Sequence, residues 1–254
     1  MRTAPSVLSA AFGFILSCSA LFAEEPTDLR LVLLIGQSNM AGRGTVTPAD
    51  QQIHPRIFML DKACAWVPAR DPVHFDKPTI AGVGLCSEFA RRLAAQDPRA
   101  KVGLLPCAFG GTSLGQWKPG SALYTNAVAR ARVAMKSGRL VAILWHQGES
   151  DCSAPTTATY PKRFAAMAAS LRADLGAADV PLLIGELGHF RPTNLPFNAA
   201  LPQVTNAVPR CALVSAEGLG DNGDKLHFNR DALIEFGARY FGAYENLRKE
   251  NAER

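Results

Sequence analysis

LVLLIGQSNMAGRG, residues 31–44, opens with five apolar residues that stop at Gly36 and deliver Ser38 into a glycine-rich turn. A short unbroken apolar run is what a strand buried on both faces of a parallel sheet looks like, and the glycines let the chain turn sharply behind it. Such a turn lifts a serine oxygen out of the sheet at the mouth of a helix, where backbone N–H groups and the helix dipole stabilise an anion. Gly-Gln-Ser-Asn also reads as a plain capping turn, since Ser, Asn and Gly are the usual residues of caps. Taken alone the segment favours capping, and the rest of the chain reverses that.

Strand-length apolar runs occupy residues 29–35, 102–107, 140–145, 181–185 and 211–215. Between and after them, residues 88–93, 122–135, 161–175 and 231–248 have helical spacing. Asn229 is placed to cap the last of these, Pro161 suits a first helical turn, and Pro202 interrupts a further helical stretch at 198–206. Strands alternating with helices predict right-handed crossovers and a sheet covered on both faces. The expected fold is α/β: a three-layer α/β/α sandwich around a five-stranded parallel sheet in the flavodoxin-like order 2-1-3-4-5. Residues 45–84 interrupt this economy with a connection of about forty residues, and connections that long are usually functional or held by their own packing. The insertion leaves from the carboxyl end of the sheet, where open parallel sheets bind ligands, so it is expected to wall a cleft.

The 254 residues, 48% hydrophobic and 19% charged, suit one globular domain. The net charge of +5 comes from 27 basic residues spread along the chain, which argues against nucleic acid, a partner that needs its charge on one face. Arg2, an apolar stretch at 7–22 and small residues at Ala20 and Ala23 read as a signal peptide over 1–23. That leaves a mature domain at 24–254, secreted or periplasmic. The apolar stretch is short for a transmembrane span. Ile15-Leu16-Ser17-Cys18 matches a lipoprotein box imperfectly, so soluble export ranks above a lipid anchor at Cys18. Cys107 and Cys211 fall in strand runs as buried thiols, while Cys64, Cys86 and Cys152 are the candidates for one disulfide. No cysteine and histidine spacing suits a metal.

Three polar motifs follow the carboxyl ends of expected strands: AFGGTS at 108–113, HQGESD at 146–151 and DKLHF at 224–228. Acyl transfer needs a hydroxyl nucleophile, an imidazole to take its proton, a carboxylate to hold the imidazole, and donors aimed at the oxyanion. Ser38, His227 and Asp224 fill the first three roles, because an Asp and a His three apart in a loop can both face one serine. The donors expected are the N–H of Ser38, an N–H at Gly110 or Gly111, and the side-chain amide of Gln147.

In this order the blocks GQSNMAG, GGTSLGQW, WHQGESD and DKLHF resemble the SGNH-type hydrolases, in the branch holding sialate O-acetylesterases and acetylxylan esterases. The likeness runs from residue 29 to 244. It implies Ser38 as nucleophile, Gly111 or Gly110 with Gln147 at the oxyanion, and Asp224 with His227 completing the triad. The wider superfamily has Gly-Asp-Ser and an asparagine where this chain has Gly-Gln-Ser and Gln147, as its branch does. Glu149 competes with Asp224 for the imidazole, and Asp224 is favoured by its spacing. Asn39 caps the helix after the serine or touches substrate. Trp117 and Trp66 are sugar platforms or packing, and His146 and His189 line the cleft or are structural. His54 and His74 have no evident partner.

The resulting expectation is an exported serine esterase that removes O-acetyl groups from a carbohydrate (acetylated xylan, sialic acid or a related glycan). It works through an acetyl-enzyme, without metal or organic cofactor. The alternatives are an inactive carbohydrate-binding protein on the same fold and a thioesterase or peptidase of the superfamily. Nucleotide binding fails for want of a P-loop lysine or a dinucleotide glycine pattern.

Overall fold

The structure, a computed structural model, describes residues 26–252. The signal peptide and Cys18 lie outside these residues. At the centre of the sheet is β1 (Leu29–Gly36), which pairs in parallel with β4 (Lys101–Pro106) on one side and β5 (Gly138–His146) on the other. Beyond β5 come β6 (Leu182–Gly185) and β7 (Cys211–Val214), also parallel. These are the five apolar runs, and their relative order is the expected one.

The sheet is larger than five strands, and it is mixed. The insertion adds β2 (Ile57–Leu60), parallel to β4, and β3 (Trp66–Pro68), antiparallel to β2, so the order is β3-β2-β4-β1-β5-β6-β7. Both added strands are short and only partly buried; β2 is an apolar run, Ile-Phe-Met-Leu, set inside the polar insertion, whereas β3 has only three residues.

Alternate residues of β1 divide between two cores, since successive side chains of a strand point to opposite faces. Leu29, Leu31, Leu33 and Ile35 pack with α3 (Ala122–Ala134) and α4 (Ala154–Leu175). Val32 and Leu34 pack with α2 (Leu85–Ala95) and α7 (Arg230–Ala252). Both faces are therefore covered, and each fully buried aliphatic side chain contributes about 1.5–3 kcal/mol. Asn229 Oδ1 accepts the Ala232 N–H at 2.9 Å and caps α7 as expected. Helix α4 starts earlier than expected, with Pro155 in its first turn and Pro161 inside it. Pro202 divides its stretch into α5 (Leu195–Ala200) and α6 (Pro202–Ala207). The expected disulfide is not formed: Cys64, Cys86, Cys107, Cys152 and Cys211 are all free thiols. Cys86 is sealed in the α2 core face, where burial pushes its thiol well above the usual range. Among the described residues no helix is long and apolar enough to cross a membrane.

One glycine decides how β1 ends. Gly36 has φ +130°, and a Cβ on it would fall 2.1 Å from the His146 carbonyl oxygen. The next N–H, that of Gln37, donates to the same oxygen at 2.9 Å. Only glycine lets β1 lie this close to the end of β5 while the chain turns into the short helix α1 (Ser38–Ala41).

Candidate active site

The loops at the carboxyl ends of β1, β4, β5, β6 and β7 close round one cleft of about 320 Å³. Ser38, Gly111, Glu149, Arg191 and His227 each reach it from a different loop, and the insertion adds Lys77 and Ile80. His227 Nε2 lies 3.0 Å from Ser38 Oγ, and His227 Nδ1 lies 2.6 Å from Asp224 Oδ2. The carboxylate can only accept, so Nδ1 carries the proton and Nε2 is left to accept the Ser38 hydroxyl. Asp224 Oδ1 takes the N–H groups of Leu226 at 2.9 Å and His227 at 2.8 Å. Burial pushes the Asp224 carboxyl up, but the hydrogen bonds from His227 and Leu226 outweigh it and hold it below the usual range. The arrangement can pass a proton from serine to imidazole against a fixed carboxylate.

Glu149 forms no hydrogen bond with the His227 ring, whose two nitrogens face Asp224 and Ser38. Its Oε1 accepts the Asn39 amide at 2.5 Å. Asn39 in turn clasps the chain on both sides of the histidine: its Nδ2 donates to Leu226 O at 3.1 Å, and its Oδ1 accepts the Phe228 N–H at 3.1 Å. Asn39 lies inside α1, whose N-cap is Gln37, and is 1% exposed, so it neither caps that helix nor reaches substrate. It ties the Ser38 helix to the His227 loop.

Three further expectations change. Both amide hydrogens of Gln147 are consumed, by Thr112 O at 3.0 Å and Asp151 Oδ2 at 2.8 Å, and Tyr160 OH lies 3.1 Å from its Oε1. No hydrogen remains for an oxyanion. Trp117 is 1% exposed, donates to Thr112 Oγ1 at 3.1 Å and packs edge-on against Trp145, so no sugar can stack on it. His146 is fully buried and donates through Nε2 to Glu186 O at 3.0 Å; burial keeps its ring below the usual range, and it does not line the cleft. Gln147 and Trp117 both brace the loop at Phe109 to Thr112 from beneath.

Gly110 donates its N–H to Asp76 Oδ2 at 2.8 Å, which removes it as an oxyanion donor. Among the described residues no protein acceptor pairs with the N–H of Ser38 or of Gly111, and both residues line the cleft. Trp66, on the far strand β3, donates through Nε1 to Ser137 Oγ, His189 Nε2 donates to Glu186 Oε2, and His74 is buried.

Sequence comparison supplies the remaining evidence. Residues 28–246 match the family described as carbohydrate esterase, sialic acid-specific acetylesterase. The chain belongs to that family. It is thus a carboxylic ester hydrolase of the carbohydrate acetylesterase kind. A probable carbohydrate esterase of Arabidopsis thaliana, At4g34215, is 30% identical over 242 residues, covering 85% of this chain and 90% of the plant protein. The crystal structure of that plant protein aligns with a TM-score of 0.80 at 28% identity, over 87% of this chain and 99% of the other. The crystal structure of NanS shares the fold at 20% identity and a TM-score of 0.72, over 89% and 99% of the two chains. So does XAC1771, a carbohydrate acetylesterase from Xanthomonas citri, at 20% identity and 0.63, over 87% of this chain and 56% of that one.

Arg43, Asp76, Lys77 and Arg191 at this esterase site were missed by sequence reasoning. Arg43 stands inside the first motif and was there to be read. The other three sit in loops whose residue types carry no signal until the fold brings them to Ser38.

Proposed function

We propose that the protein is an exported serine esterase that removes O-acetyl groups from a carbohydrate through an acetyl-enzyme. The Ser38 hydroxyl attacks the acetyl carbonyl while His227 Nε2 takes its proton. Asp224 steadies the imidazolium, and the N–H groups of Ser38 and Gly111 receive the oxyanion. The intermediate then collapses, His227 returns the proton to the departing sugar oxygen, and the acetyl group stays on Ser38. Water, deprotonated by the same imidazole, attacks the acetyl-serine; the second intermediate collapses, His227 returns the proton to Ser38 Oγ, and acetic acid leaves and ionises to acetate. The observation that carries this reading is the continuous relay from Asp224 through His227 to Ser38, at 2.6 and 3.0 Å. A protein kept only for binding has no need of such a relay.

We take the substrate to be a carboxylated sugar, on the strength of two cations at the cleft. Lys77 and Arg191 line it and, among the described residues, form no ion pair, whereas Arg43 is matched by Asp76. Glu149 and Asp224 are the carboxylates nearby, so it is the two unpaired cations, and not a net charge, that would meet a sugar carboxylate. Export rests on the reading of residues 1–23 as a signal peptide.

The test is acetate release by the purified protein from O-acetylated sialic acid, acetylated xylan and an aryl acetate, with a thioester and a peptide as controls. The aryl acetate and the carboxylated sugar should be hydrolysed, the latter with a KM that rises with salt. Ser38→Ala should abolish both activities. Ser38→Ala activity above about a hundredth of wild type would remove the assignment, and a preference for the thioester or peptide would replace the substrate class.

A further inference from the structure

The loop that faces Ser38 is held by a buried ion pair to which the relay gives no part. The peptide between Phe109 and Gly110 is fixed at both ends: its C=O accepts the Thr112 hydroxyl at 2.8 Å, and its N–H donates to Asp76 Oδ2 at 2.8 Å. The same carboxylate oxygen accepts Arg43 Nη2 at 2.8 Å, and Arg43 Nη1 donates to Gly42 O at 2.7 Å. The side chains of Arg43 and Asp76 are 5% and 1% exposed. Three separate parts of the chain meet here: the turn after α1, the insertion, and the loop after β4. They meet close to Ser38. A Cβ on Gly110 would fall 2.7 Å from Arg43 Nη2, 3.1 Å from Asp76 Oδ2 and 3.4 Å from Ser38 Cβ, so glycine is what lets the ion pair and Ser38 share one loop.

Building on the serine-esterase reading, we infer that Asp76 and Arg43 are positioning residues for the oxyanion. Asp76 captures the Gly110 N–H and thereby presents the next N–H, that of Gly111, to the developing charge. Arg43 offsets a carboxylate that would otherwise repel that charge.

The argument has two parts. A loop donor stabilises a transition state only when its direction is set beforehand, and a charge-assisted hydrogen bond on the adjacent peptide sets it. A lone carboxylate this near an oxyanion in a partly dry site is unfavourable, because charges interact strongly where water is scarce. Pairing removes most of that penalty. Burial alone pushes the Asp76 carboxyl up, but the hydrogen bonds from Arg43 and Gly110 outweigh it and keep it ionised. His74, buried beside the pair, is held down to about 4 by burial and stays neutral at working pH. The pair is therefore a fixed dipole and not a titrating switch.

The experiment measures kcat and KM of the full-length protein on an aryl acetate, for wild type and for Asp76→Asn, Arg43→Gln, the double variant and Ser38→Ala. Binding of phenylboronic acid, which forms a tetrahedral adduct on a serine, is measured for each, with circular dichroism to establish folding. Asp76→Asn, which keeps an oxygen for the Gly110 N–H but not the charge that fixes it, should lower kcat by about tenfold, with KM within about twofold of wild type. Boronate affinity should fall in step with kcat. Arg43→Gln, which bares the carboxylate, should lose more than Asp76→Asn, and the double variant should recover toward the Asp76→Asn level. Asp76→Asn activity within about twofold of wild type would overturn the inference, as would a loss confined to KM. If Asp76→Asn does not fold, Asp76→Glu, which keeps the charge and displaces the acceptor, takes its place. Failure of both to fold would make the contact purely structural and overturn the inference equally. An inactive wild type or an active Ser38→Ala would instead overturn the esterase reading on which it rests.

Discussion

Asp224 reaches His227 through the side chain, and Asn39 reaches it through the backbone, so the two contacts should fail differently. Asp224→Asn keeps the loop but offers the ring a donor where it needs an acceptor, favouring the wrong tautomer. kcat should fall by about a thousandfold to ten-thousandfold. Glu149→Gln leaves Oε1 able to accept the Asn39 amide, so its cost should be about tenfold or less, the scale of one altered hydrogen bond. Asn39→Ala removes the clasp from both sides of His227 and should fall between the two, at about a hundredfold. Kinetics on one acetate ester, with circular dichroism for folding, gives the ranking. A loss for Glu149→Gln as large as that for Asp224→Asn would mean that the carboxylates act on the ring as one network. The Asp224 to His227 contact was legible because it spans three residues. The Asn39 contacts span 187 and 189 residues, and no local pattern announces them. Gln147 was misread for a related reason: Asp151, four residues on in the same motif, takes one of its hydrogens, and the sequence does not say which acceptor an amide will find.

An ion pair joins the insertion to α7, and this is where element-scale stability should be most sensitive. Arg230, at the start of α7 and three residues after His227, donates through Nε and Nη2 to both oxygens of Asp50 at 2.8 and 2.7 Å. The Asp50 side chain is 3% exposed. The Arg230 hydrogen bonds, helped by Thr47 and opposed by burial, bring its carboxyl down to about 2. Arg230→Met would leave that carboxylate buried and unpaired, a change that typically costs about 3–5 kcal/mol. Asp50→Asn in the same chain should restore most of the loss. A folded value below the unfolded one places the pair's contribution above pH 4, and it is lost as pH falls toward 2. The gap between wild type and Arg230→Met in urea denaturation should therefore be full at pH 7 and shrink in acid. A gap under about 1 kcal/mol at pH 7 would mark the pair as behaving like an exposed one. Elements with a continuous apolar run or a cap, such as β1 and α7, were legible. The three-residue β3 carries no pattern of its own, and the apolar run of β2, Ile57–Leu60, stands alone in a polar insertion and gains its meaning only from pairing with the edge of β4.

Across the whole molecule, the acid limb of stability should be shaped by a second carboxylate acting in the opposite sense. Asp71 is 2% exposed. Its Oδ2 accepts the Ser87 hydroxyl at 2.7 Å and its Oδ1 the Gly84 N–H at 3.3 Å. Burial outweighs both bonds and lifts the carboxyl to about 6. Below pH 4 the group is protonated whether the chain is folded or not, and it contributes nothing to the pH dependence. Between about 4 and 6 the unfolded chain releases the proton first, so folding loses stability as pH rises, and above 6 the whole cost is present. That cost is about 2–3 kcal/mol for a shift of this size. Asp71→Asn keeps an acceptor for the Gly84 N–H, and its amide can donate to the Ser87 oxygen once the hydroxyl turns. It should therefore stabilise the protein at pH 7 and leave it unchanged at pH 4. Urea denaturation of wild type and variant at the two pH values measures this directly. Equal stabilisation at both would assign the gain to packing, and destabilisation at pH 7 would mean that the ionised carboxylate is held by its two hydrogen bonds better than burial allows.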